Sequence, residues 1–108
     1  MTKPTRLTGE QAMAEGVPEI EGVPAMVAHL SRLETPMLER MFAHGGNLLA
    51  VAEGPPYSEA TDKIAAFMEC ISMVFVARAE AGEISPDHPV LVTRRRVYAR
   101  AAEIEGRA

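Results

Sequence analysis

Residues 58–82 read SEATDKIAAFMECISMVFVARAEAG, and this stretch decides the fold class. Ser58 is a suitable N-cap, Glu59 and Asp62 carry negative charge into the first turn, and Gly82 can stop the helix at its C-terminus. Between Lys63 and Arg78 run the residues Ile64 to Ala77, whose sole charge is Glu69. A helix that is apolar on nearly every side has to be surrounded by other helices, from its own chain or from a partner. The expectation is therefore an all-α protein with this helix at its centre.

The segments on either side supply the other helices. Upstream, Val23, Met26, Val27, Leu30 and Leu33 recur at helical spacing behind Pro24, which suits the first turn and predicts a helix from Pro24 to about Leu33. Thr35-Pro36 restarts the chain, with Thr35 as N-cap, Pro36 at the first helical position and Glu39 in the first turn. The second helix then carries Leu38, Met41, Phe42, Gly45, Leu48, Leu49 and Ala52 on one broad face and stops at Gly54-Pro55-Pro56. Downstream, Pro86 suits a tight turn and Pro89 opens a last helix with Asp87 or His88 as its cap. There the spacing places Val90, Leu91, Val97, Tyr98, Ala101 and Ile104 toward the core, with Arg94, Arg95, Arg96 and Arg100 fanning outward. The sum is a compact antiparallel bundle of about four helices, residues 24–108, preceded by a flexible N-terminal arm, residues 1–23. Within the arm, Thr8 and Gln11 have capping-box spacing, and Gly-Val-Pro occurs at 16–18 and 22–24 as two bends.

Gly45-Gly46 falls inside the second helix. Each glycine costs roughly 1 kcal/mol relative to alanine in a helix interior. The pair either breaks the segment in two, or lets a neighbouring helix approach closely, or meets a ligand with bare backbone.

Composition sets the outer limits. The 108 residues suffice for one domain with a real core, and 47% hydrophobic against 24% charged residues is ordinary for a globular chain. Alanine is abundant, methionine occurs seven times, and tryptophan is absent. Alanine favours helix and close crossings, while methionine fills irregular gaps and adapts to partners. The net charge of −4 argues against a general nucleic-acid binder, but it is unevenly spread. Residues 1–84 hold six Lys/Arg against twelve Asp/Glu, whereas 85–108 hold five Arg against three acids. A single cysteine, Cys70, allows no intramolecular disulfide. The first residues lack the apolar core of a signal peptide, and the run 64–77 is shorter than the ~20 residues of a membrane span, so a cytoplasmic location is expected.

Candidate chemistry is sparse. Glu69 is a buried-charge candidate. It lies either on a stripe reaching water with Asp62, Lys63 or Ser72, or in an ion pair with an arginine of the last helix, or at a catalytic acid position. Catalysis needs a second placed group, and none is evident. Met26 with His29, Met37 and Met41 with His44, and Met68, Cys70 and Met73 offer the soft donors that suit Cu(I). Methionine at helical spacing is first of all core, however, and no metal-ligand spacing such as Cys-x-x-Cys or Glu-x-x-His occurs. No phosphate loop or nucleophile elbow is present, so neither a cofactor nor an enzyme is expected.

The reading that follows is a small non-enzymatic interaction module, an adaptor, regulator or inhibitor, that binds another protein and self-associates. Its candidate binding residues are Met37, Met41, His44 and Leu48 on the second helix and Arg94, Arg95 and Arg96 on the last. A homodimer would cover the apolar third helix, and Met41→Glu should weaken association while helicity survives. Two rivals remain. One is a small-molecule or soft-metal sensor with a pocket near His44, Gly45 and Gly46, faced by Cys70 or Met73. The other is nucleic-acid binding through the last helix, although three consecutive arginines span about 200° and cannot grip one groove together.

Overall fold

The computed structural model describes residues 6–8, 10–11, 22–51 and 59–107. Its regular elements are four helices: α1 (Val23–Leu30), α2 (Thr35–Val51), α3 (Glu59–Glu80) and α4 (Pro89–Arg107). No strand occurs among the described residues, and the one isolated bridge joins Leu7 to Leu33. The protein is all-α. It divides into two compact units, Met1–Ile71 and Ser72–Ala108, with the boundary inside α3.

In the first unit, α1 begins right after Gly22, whose φ of 87° is a conformation that suits glycine. The helix stops three residues earlier than its apolar spacing suggests. Ser31 donates its hydroxyl back to the Val27 carbonyl at 2.7 Å, and the chain tightens through Arg32 N–H to the His29 carbonyl. Leu33 belongs instead to the extended link that meets Leu7. There the Leu7 N–H donates to the Arg32 carbonyl at 2.6 Å, and the Glu34 N–H donates to the Leu7 carbonyl at 3.0 Å. This stretch of the N-terminal arm is thus held by backbone bonds. Just beyond, the capping box forms as its spacing requires: Gln11 N–H donates to Thr8 Oγ1 at 3.2 Å, and Thr8 N–H donates to Gln11 Oε1 at 3.0 Å. The bend at 16–18, the Gly54-Pro55-Pro56 stop and the Ser58 cap lie outside the described residues.

Helix α2 starts one residue earlier than expected. Thr35 is already helical, and the Glu34 carbonyl accepts from the N–H groups of Met37 and Leu38. Pro36 still falls where no donor is needed. The helix runs unbroken through Gly45 and Gly46 to Val51. A Cβ built on Gly45 would sit 2.8 Å from Met68 Cγ and 2.9 Å from its Sδ, with Ile64 next at 3.7 Å. Gly45 is therefore a packing glycine that lets α3 approach the backbone of α2. The buried side chains of this unit are Leu30, Leu33, Leu38, Cys70 and Ile71.

The second unit is a helical hairpin made of the last turns of α3, a turn, and α4. Two pairings show the antiparallel course: Arg94 Nη1 donates to Ser72 Oγ at 2.6 Å, and the rings of Phe75 and His88 stand 4.8 Å apart. Gly82, at φ 77°, ends α3 in a Schellman motif, with Gly82 N–H bound to the Ala79 carbonyl and Glu83 N–H to the Arg78 carbonyl. Ser85 Oγ then accepts from Asp87 N–H, and His88 Nδ1 accepts from Val90 N–H at 3.1 Å. Of the two cap candidates, His88 is the one used. The buried residues are Ser72, Val74, Phe75, Arg78, Val90 and Leu91. Among the described residues every buried side-chain nitrogen and oxygen has a hydrogen-bond partner, so Ser72 and Arg78 do not strain this interior.

Helix α3 is not buried all round. Asp62, Ala66, Met73, Ala77 and Glu80 are exposed along one stripe, and Glu69 on the same stripe is half-buried rather than buried. Alanine makes this possible, because a methyl group gives up little apolar area to water. Ser72 does not share that stripe; it is buried and receives Arg94.

Candidate functional site

Two surfaces gather the residues that the sequence singled out. The first is an open groove of about 390 Å³ in the Met1–Ile71 unit. Met41, His44, Gly45 and Leu48 line it from α2, and Lys63, Ile64 and Phe67 from α3. The spacing of the α2 residues puts them on consecutive turns of one face. The packing glycine brings the two helices together beneath. Met41 is half-buried, His44 is exposed, and Leu48 is 40% exposed. Met37 is half-buried but does not line the groove. Cys70 does not line this groove, whose α3 side is formed by Lys63, Ile64 and Phe67.

Cys70 is buried, and its thiol is held above its ordinary pKa by burial first and by the neighbouring Glu69 charge second. Such a thiol is a poor nucleophile and a poor thiolate ligand. Among the described residues no group of three His, Cys, Asp or Glu side chains is arranged to hold a metal ion.

The second surface is on α4. The arginine triplet has three different fates. Arg94 is half-buried, donating to Ser72 and lying with its guanidinium 4.7 Å from the Tyr98 ring centre. This cation–π contact and the serine bond make it a strut of the hairpin. Arg95 reaches back to the turn, donating to the Pro86 carbonyl at 2.9 Å and to Asp87 at 3.4 Å. Arg96 is exposed and makes no hydrogen bond or ion pair among the described residues.

Spacing placed Val97, Tyr98, Ala101 and Ile104 in the core, and the structure places them outside it. Val97 is 61% exposed, Ile104 56% and Tyr98 50%, and Ala101 is exposed as well. Their spacing does put these residues on one face of α4, but spacing alone does not decide whether a face is covered. Thr93, Arg96, Val97, Arg100, Ala101 and Ile104 border a shallow trough of about 440 Å³ along the second half of α4. Arg100 donates to Glu103 at 2.9 Å in an exposed pair.

No described helix is long and apolar enough to cross a membrane. No protein-family model matches the chain, and no curated protein or solved structure is significantly similar to it.

Proposed function

We propose that this chain is a small non-enzymatic protein-interaction module, an adaptor or regulator, and that its working surface is the second half of α4. One observation carries the reading: Val97 and Ile104 stand more than half exposed on one helical face with Ala101 between them. Burying a valine or isoleucine side chain in full is worth about 1.5–3 kcal/mol, so at these exposures each still holds roughly 1 kcal/mol that a partner can recover. Isolated exposed aliphatics are common, but a continuous stripe over three turns with arginines along its edge has the form of a docking face. Burial holds the Cys70 thiol in its protonated form, and Arg94 and Arg95 brace the hairpin.

The test is native mass spectrometry of the chain isolated from its own cells beside a Val97→Asp variant of unchanged helicity. A protein that accompanies the wild type and is lost from the variant supports the reading. Accompanying protein retained by the variant would refute it.

A second reading is favoured by the groove of Met41, His44, Leu48, Lys63, Ile64 and Phe67, whose volume falls within the range of small-ligand sites, about 300–1,000 Å³. On that reading the same spectra show a bound small mass that Met41→Glu removes.

A further inference from the structure

The α4 stripe is asymmetric, and its asymmetry specifies what can lie on it. Measured around the helix from Val97 at 100° per residue, Ile104 lies about 20° to one side and Ala101 about 40° to the other. Arg100 and Arg96 follow at about 60° and 100° on the Ile104 side. The stripe therefore has one basic edge. Arg96 on that edge has no partner among the described residues, and Arg100 is engaged only in an exposed pair with Glu103. The opposite edge begins with Arg94, which is committed to Ser72 and Tyr98.

A second copy of the chain fits this face poorly. An antiparallel two-fold pairing sets equal edges against each other, so Arg96 and Arg100 would face an edge carrying the same arginines, where Glu103 is already engaged by Arg100. A parallel zipper needs at least about three heptads, and Thr93 to Ile104 provides fewer than two. Nucleic acid fits poorly too: Arg94 is turned into the hairpin, Arg95 is tied to the turn at the surface, and the centre of the face is valine, alanine and isoleucine.

We infer that the second half of α4 receives an amphipathic helix of another protein, one with an aliphatic seam and Asp or Glu along the edge that meets Arg96 and Arg100. The inference rests on the interaction reading above and adds the partner's chemistry. Thr93, Val97, Ala101 and Ile104 follow the spacing at which one helix ridge enters another's groove, and the small Ala101 in the middle allows close approach. The acidic edge of the incoming helix would give Arg96 the counter-charge it lacks and steer the encounter.

The probes are two designed helical peptides with the same leucine seam, one edged with glutamate and one with lysine. Their binding to the full chain is followed by fluorescence anisotropy at low and high salt. The glutamate peptide should bind at least about tenfold more tightly than the lysine peptide, with the gap closing at high salt. Arg96→Glu with Arg100→Glu should reverse the order, and Val97→Ser should weaken both peptides. Circular dichroism checks that each variant keeps its helix content.

Equal binding of the two peptides, with Val97 still required, would overturn the acidic partner and leave the α4 surface standing. Failure of the glutamate peptide to bind, or indifference to Val97→Ser, would remove both. Sedimentation showing a dimer that Val97→Ser dissociates would name a second copy as occupant, and tight salt-dependent binding of a labelled duplex lost with Arg96→Glu would name nucleic acid. Either result overturns the inference.

Discussion

Replacing Gly45 with alanine sets two effects of known size against each other. Alanine in a helix interior is favoured over glycine by about 1 kcal/mol, and the backbone at this position is ordinary helix. Opposing this, the new methyl would lie 2.8 Å from Met68 Cγ and 2.9 Å from Met68 Sδ, far inside normal contact. Cγ is set by the first side-chain torsion, so Met68 can escape only by changing rotamer or by moving α3 away. Overpacking of this kind costs about 1–3 kcal/mol, and because Met68 is half-buried its cost belongs in the lower part of that range. Gly45→Ala should therefore come out neutral to about 1 kcal/mol destabilising. The neighbouring glycine is the control. Among the described residues a Cβ on Gly46 meets only Met68 Cε, at 3.8 Å, so Gly46→Ala should stabilise by up to about 1 kcal/mol. Urea unfolding followed by circular dichroism gives both values, and a separation of 1 kcal/mol corresponds to about 4–8 °C in Tm for a domain of this size. Met68→Ala in the Gly45→Ala background should recover part of the loss as a positive coupling. If Gly45→Ala stabilises as much as Gly46→Ala, α3 does not approach the bare backbone of α2 and the packing argument fails.

Three further outcomes follow from the second unit and from Cys70. His88→Ala removes the acceptor for Val90 N–H and the ring against Phe75, whereas His88→Asn keeps an acceptor; the two should differ by about 1 kcal/mol in urea unfolding, and equal stabilities would show that the cap contributes nothing. Ser72→Ala deprives Arg94 Nη1 of its 2.6 Å acceptor at a buried position, and since half-buried Arg94 can turn partly to water the loss should be about 1 kcal/mol; an unchanged midpoint would mean that the bond is not formed in solution. The folded chain holds the Cys70 proton more tightly than the unfolded chain does, so this residue's contribution is intact below the ordinary thiol value of 9.0 and is lost as pH rises beyond it. The unfolding midpoint of the wild type should thus fall more steeply as pH rises above 9.0 than that of Cys70→Ala, and parallel slopes would remove the effect.

What the sequence made legible divides along a physical line. Local chemistry was readable because it is decided within a few residues: the Thr8–Gln11 capping box, the Gly82 stop, a cap at Asp87 or His88 before Pro89 and the all-α class all follow from short-range donors, acceptors and periodicity. Gly45 was legible as a question whose answer lay in Met68, a residue on another helix. Burial was where the reading failed, and it failed on α4. The positions Val90, Val97, Ala101 and Ile104 do share a face, as their spacing says. Periodicity fixes which residues lie together around a helix; it carries no information on how far along the axis a neighbour extends. Val90 and Leu91 are buried, while Val97 and Ile104 on the same face are more than half exposed. Of the arginine triplet, Arg95 and Arg96 face outward as charge suggests, while Arg94 is half-buried against a buried serine, leaving Arg96 beside the open stripe. An exposed apolar face bordered by Arg96, which has no partner among the described residues, is where a second molecule has the most to gain.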